Sequence, residues 1–147
     1  MKRALLMVST LIQLSTLSAL AADNGSIKVK VTGLNNDKGV VRIALFKDKD
    51  SYKADDGSGD KAFQRAAVKI ASSEASHTFS DIPYGSYAIK LFHDESNSGK
   101  FLTNAFGIPR VQYGFSNNAR GRFGPAAFEK ALFDVKQPET SMTIAAK

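Results

Sequence analysis

The chain has 147 residues, no cysteine and a formal net charge of +6 from 20 basic and 14 acidic residues. This length suits one domain with a substantial hydrophobic core and leaves little room for two. The absence of cysteine excludes disulfides, thiol catalysis and thiolate metal ligands, so burial of apolar side chains must stabilise the fold.

Residues 1–21 have the pattern of a secretory signal peptide. Lys2 and Arg3 precede an uncharged, mainly apolar run, and small residues complete a cleavage site that ends at Ala21. The run contains several Ser, Thr and Gln side chains, so it is poorer in hydrocarbon than the ~20 apolar residues of a stable membrane span. We therefore predict cleavage after Ala21, a mature chain of residues 22–147 without a transmembrane segment, and a periplasmic or secreted location. An uncleaved membrane anchor is the alternative.

Removal of this leader leaves 18 of the 20 basic residues against 14 acidic ones, a net charge of +4. A charge of this size is typical of a solubilising surface, and anionic polymers or lipid headgroups are the alternative partners. Nucleic acid is not expected as a partner, because the signal peptide directs the chain out of the cytoplasm. Three arginines near aromatic side chains would otherwise suit stacking on bases, namely Arg110, Arg120 and Arg122.

The first half of the mature chain contains two apolar segments. Apolar and polar residues alternate from Ser26 to Leu34, which predicts a half-buried strand. A polar turn at residues 35–39 leads to Val40–Phe46, and the two strands are predicted to pair as a β-hairpin. Residues 48–60 are polar and lack a sustained period, so we predict a mobile loop. Its acidic cluster suits a solvated turn better than a cation site, because a flexible loop loses conformational entropy on binding.

Residues 63–67 are predicted to form a short helical turn before a strand that begins at Val68. An extended segment at 76–79 and a turn at 81–85 follow. The next strand has one apolar face with Tyr87 as a core anchor, because that residue directly follows the rigid turn. The face comprises Tyr87, Ile89, Leu91 and His93.

The second half of the chain is less regular. Residues 101–124 contain many turn formers and no long periodic run, residues 128–135 fit either a helical turn or a strand, and residues 142–145 can close the sheet. Short strands punctuated by turns, without a sustained amphipathic helix, predict a single all-β domain. We expect an antiparallel β-sandwich, as in immunoglobulin-like domains, with a long loop rich in Gly, Asn and aromatic residues.

Asp94, Ser96, Ser98 and Gly99 have the spacing of an acidic calcium loop, in which alternate oxygens face a cation and glycine permits the sharp turn. Position twelve of such a loop, counted from Asp94, is Ala105 rather than a bidentate glutamate. A turn held by Asx and Ser side-chain bonds to backbone amides explains the same residues without metal. We therefore predict no cofactor and weak or absent calcium binding.

His93 lies beside Asp94 and Glu95, and a nearby carboxylate can orient an imidazole and raise its pKa for acid–base chemistry. Successive strand residues point to opposite faces, however, so these neighbours need not converge. A hydrogen-bonded structural histidine is the favoured interpretation.

Glycines alternate with aromatic residues from Phe106 to Gly124. The aromatic side chains Phe106, Tyr113, Phe115 and Phe123 can present flat faces to a sugar or a peptide. Alternatively, they pack a long connection onto the sandwich.

Several short motifs together resemble an uncharacterised bacterial exported family, domain of unknown function 2141. The similarity covers about residues 26–146, and its most specific part is the run Gly114–Asn118. It implies a transthyretin-like or prealbumin-like β-sandwich and an envelope or extracellular location. The other matching residues are Asp81–Ala88, His93–Glu95, Gly99, Lys100, Asn104, Gly107–Pro109, Tyr113, Phe123–Pro125, Phe128 and Ala131.

This chain departs from the family pattern in the polar loop. The family usually has asparagine at Ser96 and Ser98, aspartate at Leu102 and glutamate at Val111. Each change removes a hard oxygen or a charge, so any cation bound by relatives is expected to bind here more weakly or not at all.

We predict that the chain is an exported, non-enzymatic β-sandwich that serves as a binding or structural module of the bacterial cell envelope, with an unidentified envelope ligand or protein as partner. The alternative is an envelope hydrolase or metal-dependent enzyme centred on His93, Asp94 and Glu95. The candidate binding surface comprises His93, Asp94, Glu95, Asn97, Asn104, Tyr113, Phe115, Asn117 and Asn118.

Overall fold

The computed structural model describes residues 23–147, so the predicted signal peptide and its cleavage site lie outside the described residues. Strands dominate this part of the chain, and helices are short. In chain order the elements are β1 (Asn24–Thr32), β2 (Val40–Phe46), α1 (Lys49–Ala54), β3 (Gln64–Lys69), β4 (Ala75–Pro83), β5 (Gly85–Asp94), β6 (Tyr113–Phe115), a 3-10 turn (Ser116–Asn118), α2 (Phe128–Ala131), β7 (Phe133–Val135) and β8 (Glu139–Ala145).

The strands form two sheets that pack on each other like a sandwich. One sheet has the order β4-β1-β8, and the other has the order β3-β2-β5-β6 with β7 paired to one end of β5. The expectation of a wholly antiparallel sandwich is wrong at one pair, because β1 and β8 are parallel. The chain reaches β8 by leaving the larger sheet after β7, and such a crossover leaves the direction of the new strand free.

The predicted hairpin between the first two strands is also wrong. β1 pairs with β4 and β8, whereas β2 pairs with β3 and β5, so the two strands lie in different sheets. The connection crosses between the sheets and is tied to the β3–β4 turn, where the carboxylate of Asp37 accepts the backbone N–H groups of Ser72 and Ser73 at 3.0 and 2.7 Å. Gly39 has a φ of +66°, and a Cβ atom there would lie 2.0 Å from the carbonyl oxygen of Asp94.

Two local predictions between the second and fourth strands are corrected. Residues 63–67 do not form a helical turn, because β3 already begins at Gln64 and pairs with β2. Residues 48–60 contain α1, whose first turn is capped by the carboxylate of Asp48. A helix of six residues is too short to produce a recognisable period in the sequence.

The core between the sheets is built from the inward-facing residues of both. Tyr87 is fully buried there, as the sequence predicts, and its hydroxyl donates to the carbonyl oxygen of Pro83 at 2.6 Å. The side chains buried in this core include Ile27, Val29, Val31, Val41, Ile43, Leu45, Phe79, Ile82, Tyr87, Ile89, Leu91 and Ile144.

A second, smaller core covers part of the outer face of the larger sheet. Phe46 and Ala88 of the sheet are buried in it together with Tyr52 of α1 and Ala131 of α2. β5 is therefore buried on both faces.

The segment 128–135, whose sequence fits either a helical turn or a strand, contains α2 followed directly by β7. None of the helices formed by residues 23–147 is long and apolar enough to cross a membrane.

Candidate functional site

The rest of the outer face of the larger sheet forms the floor of a groove. Side chains alternate between faces along a strand, so the residues that do not enter the sandwich interior face outward. Strand register places them in two rows across the sheet. One row is Ala67, Arg42, Phe92 and Tyr113, and the next is Arg65, Ala44, Lys90 and Phe115.

Loops above this floor enclose a groove of about 1100 Å³. Residues 55–60 form one wall, and residues from 99–109 and 121–125 line the groove as well. The walls come from segments far apart in sequence. A concave, largely apolar site with a few polar groups is typical of small-molecule binding.

Aromatic side chains run across the groove as a chain of edge-to-face contacts. The ring centroids of Phe92 and Phe101 are 5.5 Å apart, those of Phe101 and Tyr113 are 6.1 Å apart, and those of Tyr113 and Phe115 are 5.8 Å apart. Such geometry is the favourable one for aromatic pairs. Tyr113 and Phe115 therefore pack onto the sheet, whereas Phe106 and Phe123 remain 89% and 97% exposed. The packing interpretation of the Gly-rich aromatic segment therefore holds for Tyr113 and Phe115, and ligand contact by Phe106 and Phe123 stays a prediction.

Lys90 lies on the groove floor with a side chain that is only 15% exposed. Its ammonium donates to the carbonyl oxygen of Tyr52 and lies 4.3 Å from the centroid of that ring and 5.3 Å from that of Phe46. The carboxylate of Asp55 is 4.0 Å away. Burial lowers the pKa of Lys90, and the negative charges of Asp55 and Asp56 oppose this change. These contacts stabilise the positive charge of Lys90, which is largely buried beside the second core.

The predicted calcium loop is closed by Asp94 itself. One carboxylate oxygen accepts from Arg42 Nε at 2.6 Å and from the N–H of Gly99 at 2.8 Å, and the other accepts from the N–H of Ser98 at 3.0 Å. Arg42 also donates to the side-chain oxygen of Asn97 at 2.8 Å. Burial tends to raise the pKa of Asp94, but the Arg42 guanidinium and the two amides outweigh it and hold that pKa below its ordinary value.

His93 and Asp94 point to opposite faces of β5. The His93 ring lies on the interior side, 1% exposed, with Nε2 2.7 Å from the carbonyl oxygen of Lys38, to which it donates in the matching tautomer. Its Nδ1 is buried without a hydrogen-bond partner among residues 23–147. Glu95 is exposed to solvent. The enzyme hypothesis requires these three side chains to converge. Instead, His93 lies on the interior side of β5, Asp94 on its outer face and Glu95 in the loop that follows.

Three asparagines of the predicted binding surface form hydrogen bonds between their side chains and the backbone. The side-chain oxygen of Asn104 accepts the N–H groups of Phe106 and Ile108 at 2.9 and 3.0 Å. The Asn117 amide donates to carbonyl oxygens at the end of α2, and the Asn118 side chain bonds the backbone of β8. Their role in recognition stays a prediction, while their role in shaping the loops is visible.

Of the predicted surface, Tyr113 and Phe115 line the groove and Asp94 orients Arg42 beside it. Sequence reasoning missed most of the lining, although strand alternation held a usable signal for Arg42, Lys90 and Phe92, which face away from the core. The missed lining residues also include Ala44, Arg65, Ala67, Phe101, Ile108 and the 55–60 loop.

Within residues 23–147, no group of three or more His, Asp or Glu side chains could hold a metal ion.

No curated protein and no solved structure matches the chain. One family model does match, over residues 29–143, and its description is "uncharacterized protein conserved in bacteria". Because that match covers most of the chain, the protein belongs to this bacterial family, DUF2141.

Proposed function

We propose that the protein is an exported, non-enzymatic binding module of the bacterial cell envelope, which holds a hydrophobic or amphipathic small molecule in the outer-face groove. The observation that carries this proposal is the groove itself, about 1100 Å³ in volume and floored by one continuous sheet. Its volume lies just above the roughly 300–1000 Å³ that ligand sites typically span, and like them it has a mainly apolar and aromatic lining.

The lining suggests how a ligand would lie. The apolar part would contact Phe92, Phe101 and Tyr113, whose rings form the chain of contacts across the floor. Polar groups of the ligand would meet Arg42 of β2 and Arg65 of β3. The charges of the lining nearly balance, because the acidic 55–60 loop faces these cations, so apolar contact dominates the expected affinity.

Binding fits the geometry better than catalysis does. His93 faces the sandwich interior, and the Asp94 carboxylate is occupied by Arg42 and backbone amides. A general acid or base must reach the reacting atom, at about 2.6–3.2 Å between heavy atoms. Export is supported by the leader-like residues 1–21. We also propose that the sandwich is of the transthyretin-like type, which the family resemblance implies.

The groove can be tested by filling it. Ala67 is exposed on the groove floor at the outer face of β3, so Ala67→Trp would occupy ligand space without entering either core. Titration with 1-anilinonaphthalene-8-sulfonate, an amphipathic fluorescent probe, should give saturable binding that Ala67→Trp weakens by roughly tenfold, equivalent to about 1.4 kcal/mol. Ala71→Trp, at an exposed alanine in the β3–β4 turn, is the matched control. Equal probe affinity in both variants would reject the groove as the binding site.

A further inference from the structure

The most exposed large apolar side chains lie in one part of the molecule. Phe123 and Phe106 are 97% and 89% exposed, and Ile108 is 58% exposed. We call these three residues the apolar tips. All three line the mouth of the same groove, so they lie on one side of the molecule. Clustered exposure of this kind marks an interaction surface, whereas single exposed apolar residues need no explanation.

The backbone holds the apolar tips outward. Thr103 and Pro109 form a β-bridge, and between them the Asn104 side chain accepts two backbone N–H groups. Gly107 has a φ of +76°, which turns the chain between Phe106 and Ile108.

Phe123 is held by an equally tight turn. A Cβ atom on Gly121 would lie 1.9 Å from the carbonyl oxygen of Gly124. Arg122 and Phe123 occupy the intervening positions, and the Arg122 guanidinium lies 5.8 Å from the Phe123 ring centroid. Both turns are therefore built features rather than frayed ends.

The net charge of residues 23–147 is concentrated in the same segment. Residues 96–128, here the basic segment, contain Lys100, Arg110, Arg120 and Arg122 and no acidic residue. All four basic side chains are exposed. Among residues 23–147, the remaining 14 basic residues are balanced by the 14 acidic ones. The whole positive excess of the described chain thus lies in the segment that carries the apolar tips.

We propose that the basic segment docks the protein on an anionic phospholipid surface, with Phe106, Ile108 and Phe123 inserted among the headgroups. Aromatic and aliphatic side chains are stabilised at the membrane interface, where their apolar parts leave water. Lysine and arginine beside them are attracted to anionic headgroups, and each contributes about fivefold to partitioning near such a surface. The groove mouth then faces the lipid. This inference stands independently of which ligand the groove holds.

Vesicle sedimentation tests the docking. The purified protein should bind vesicles of mixed phosphatidylglycerol and phosphatidylcholine and bind vesicles of phosphatidylcholine alone at least tenfold less. The double variant Phe106→Ser/Phe123→Ser should lose most binding to the mixed vesicles, and so should Arg120→Gln/Arg122→Gln. The matched control is Lys28→Gln/Lys30→Gln, which makes the same charge change on β1 of the smaller sheet and should bind like the unaltered protein.

Fluorescence from one of the apolar tips can measure membrane insertion directly. The chain contains no tryptophan, so Phe123→Trp introduces a single fluorophore at the tip. Its emission should shift to the blue on mixed vesicles and be quenched by brominated phosphatidylglycerol.

Three results would overturn the proposal. These are equal binding to neutral vesicles, undiminished binding of Phe106→Ser/Phe123→Ser, or an unshifted emission from the Phe123→Trp variant on sedimented vesicles. A concentration-dependent dimer that the phenylalanine variant abolishes, without vesicle binding, would instead assign the tips to a second copy of the chain. Ala67→Trp separates the two proposals, because it fills the groove and should leave vesicle binding unchanged.

Discussion

Tyr87 is the residue whose removal should weaken the fold most directly. Its ring is fully buried between the sheets, and its hydroxyl bonds the Pro83 carbonyl oxygen at 2.6 Å. We expect Tyr87→Ala to lower the free energy of unfolding by roughly 3–5 kcal/mol, since it leaves a large cavity. Tyr87→Phe removes only the hydrogen bond and should cost about 0.5–1.5 kcal/mol. Urea denaturation measures both, and an alanine variant as stable as the unaltered protein would contradict the assignment of Tyr87 to the core.

Asp94 should make stability depend on pH in the acid range. Its folded pKa is depressed by Arg42 and two amides despite burial, so the unfolded chain binds the proton more readily. The contribution is complete above the unfolded pKa of about 3.9 and is lost as pH falls through the lower folded pKa. Asp94→Asn should therefore destabilise the protein at neutral pH, by about 1–3 kcal/mol. It should also flatten the loss of stability below about pH 4.

Glu95→Gln is the control for this prediction, because it makes the same charge change at the exposed neighbouring residue. Thermal unfolding across the acid range measures both variants. If the stability of Asp94→Asn and of the unaltered protein fell in parallel as the pH is lowered, other carboxylates would be responsible for the acid dependence of stability.

At the scale of elements, the 3-10 turn joins parts of both sheets. Ser116 Oγ accepts the N–H of Ile89 at 2.9 Å, Asn117 donates to the carbonyl oxygen of Leu132 at 2.8 Å, and Asn118 accepts the N–H of Ala145 in β8 at 2.9 Å. Asn117 and Asn118 also have φ values of +60° and +49°, a region that asparagine tolerates better than most residues.

Changing Asn117 and Asn118 together to Ser should therefore reduce stability by about 1–3 kcal/mol, because their hydrogen bonds to the backbone are lost. Chemical denaturation measures this cost, and recovery of partners from an envelope extract measures recognition. Lost partners at unchanged stability would show that these side chains act in recognition instead.

The Asp94–Gly99 loop should respond little to calcium. Both carboxylate oxygens of Asp94 already accept hydrogen bonds from the protein, and the bidentate twelfth ligand of a calcium loop is absent. A ligand present at 100 times its dissociation constant would add about 2.7 kcal/mol of stability, which a thermal shift detects. A clear rise in Tm with millimolar calcium that Asp94→Ala abolishes would reveal a metal site.

At the scale of the whole molecule, the proposed export would determine which ligands and surfaces the groove and the basic segment can meet. We expect the mature protein to begin at Ala22, because small residues precede it at the predicted cleavage site. Intact mass of the protein from fractionated cells measures this directly. A protein that retains residues 1–21 in the envelope fraction would favour the membrane anchor.

Sequence by itself determined the facing of most side chains. Alternation along β1, β2 and β5 separates inward from outward residues, because successive side chains of any strand point to opposite faces whatever its partner. Tyr87 could therefore be placed in the core, and the sheet-rich class followed from short strands and turns. Asp94 and its neighbours could be interpreted as a self-closed turn, because those hydrogen bonds are local.

Only the tertiary structure decided which strands pair and what surrounds the groove. β1 and β2 have the alternation of a hairpin, yet they lie in separate sheets, and alternation alone carries no information about the partner. Likewise, Phe106 and Phe123 have the same local pattern as Tyr113 and Phe115, but only the latter pair lies on strand β6 against the sheet. The groove is lined by outward-facing residues of four strands of the larger sheet and by loops that are far apart in sequence, so its physical cause is long-range packing.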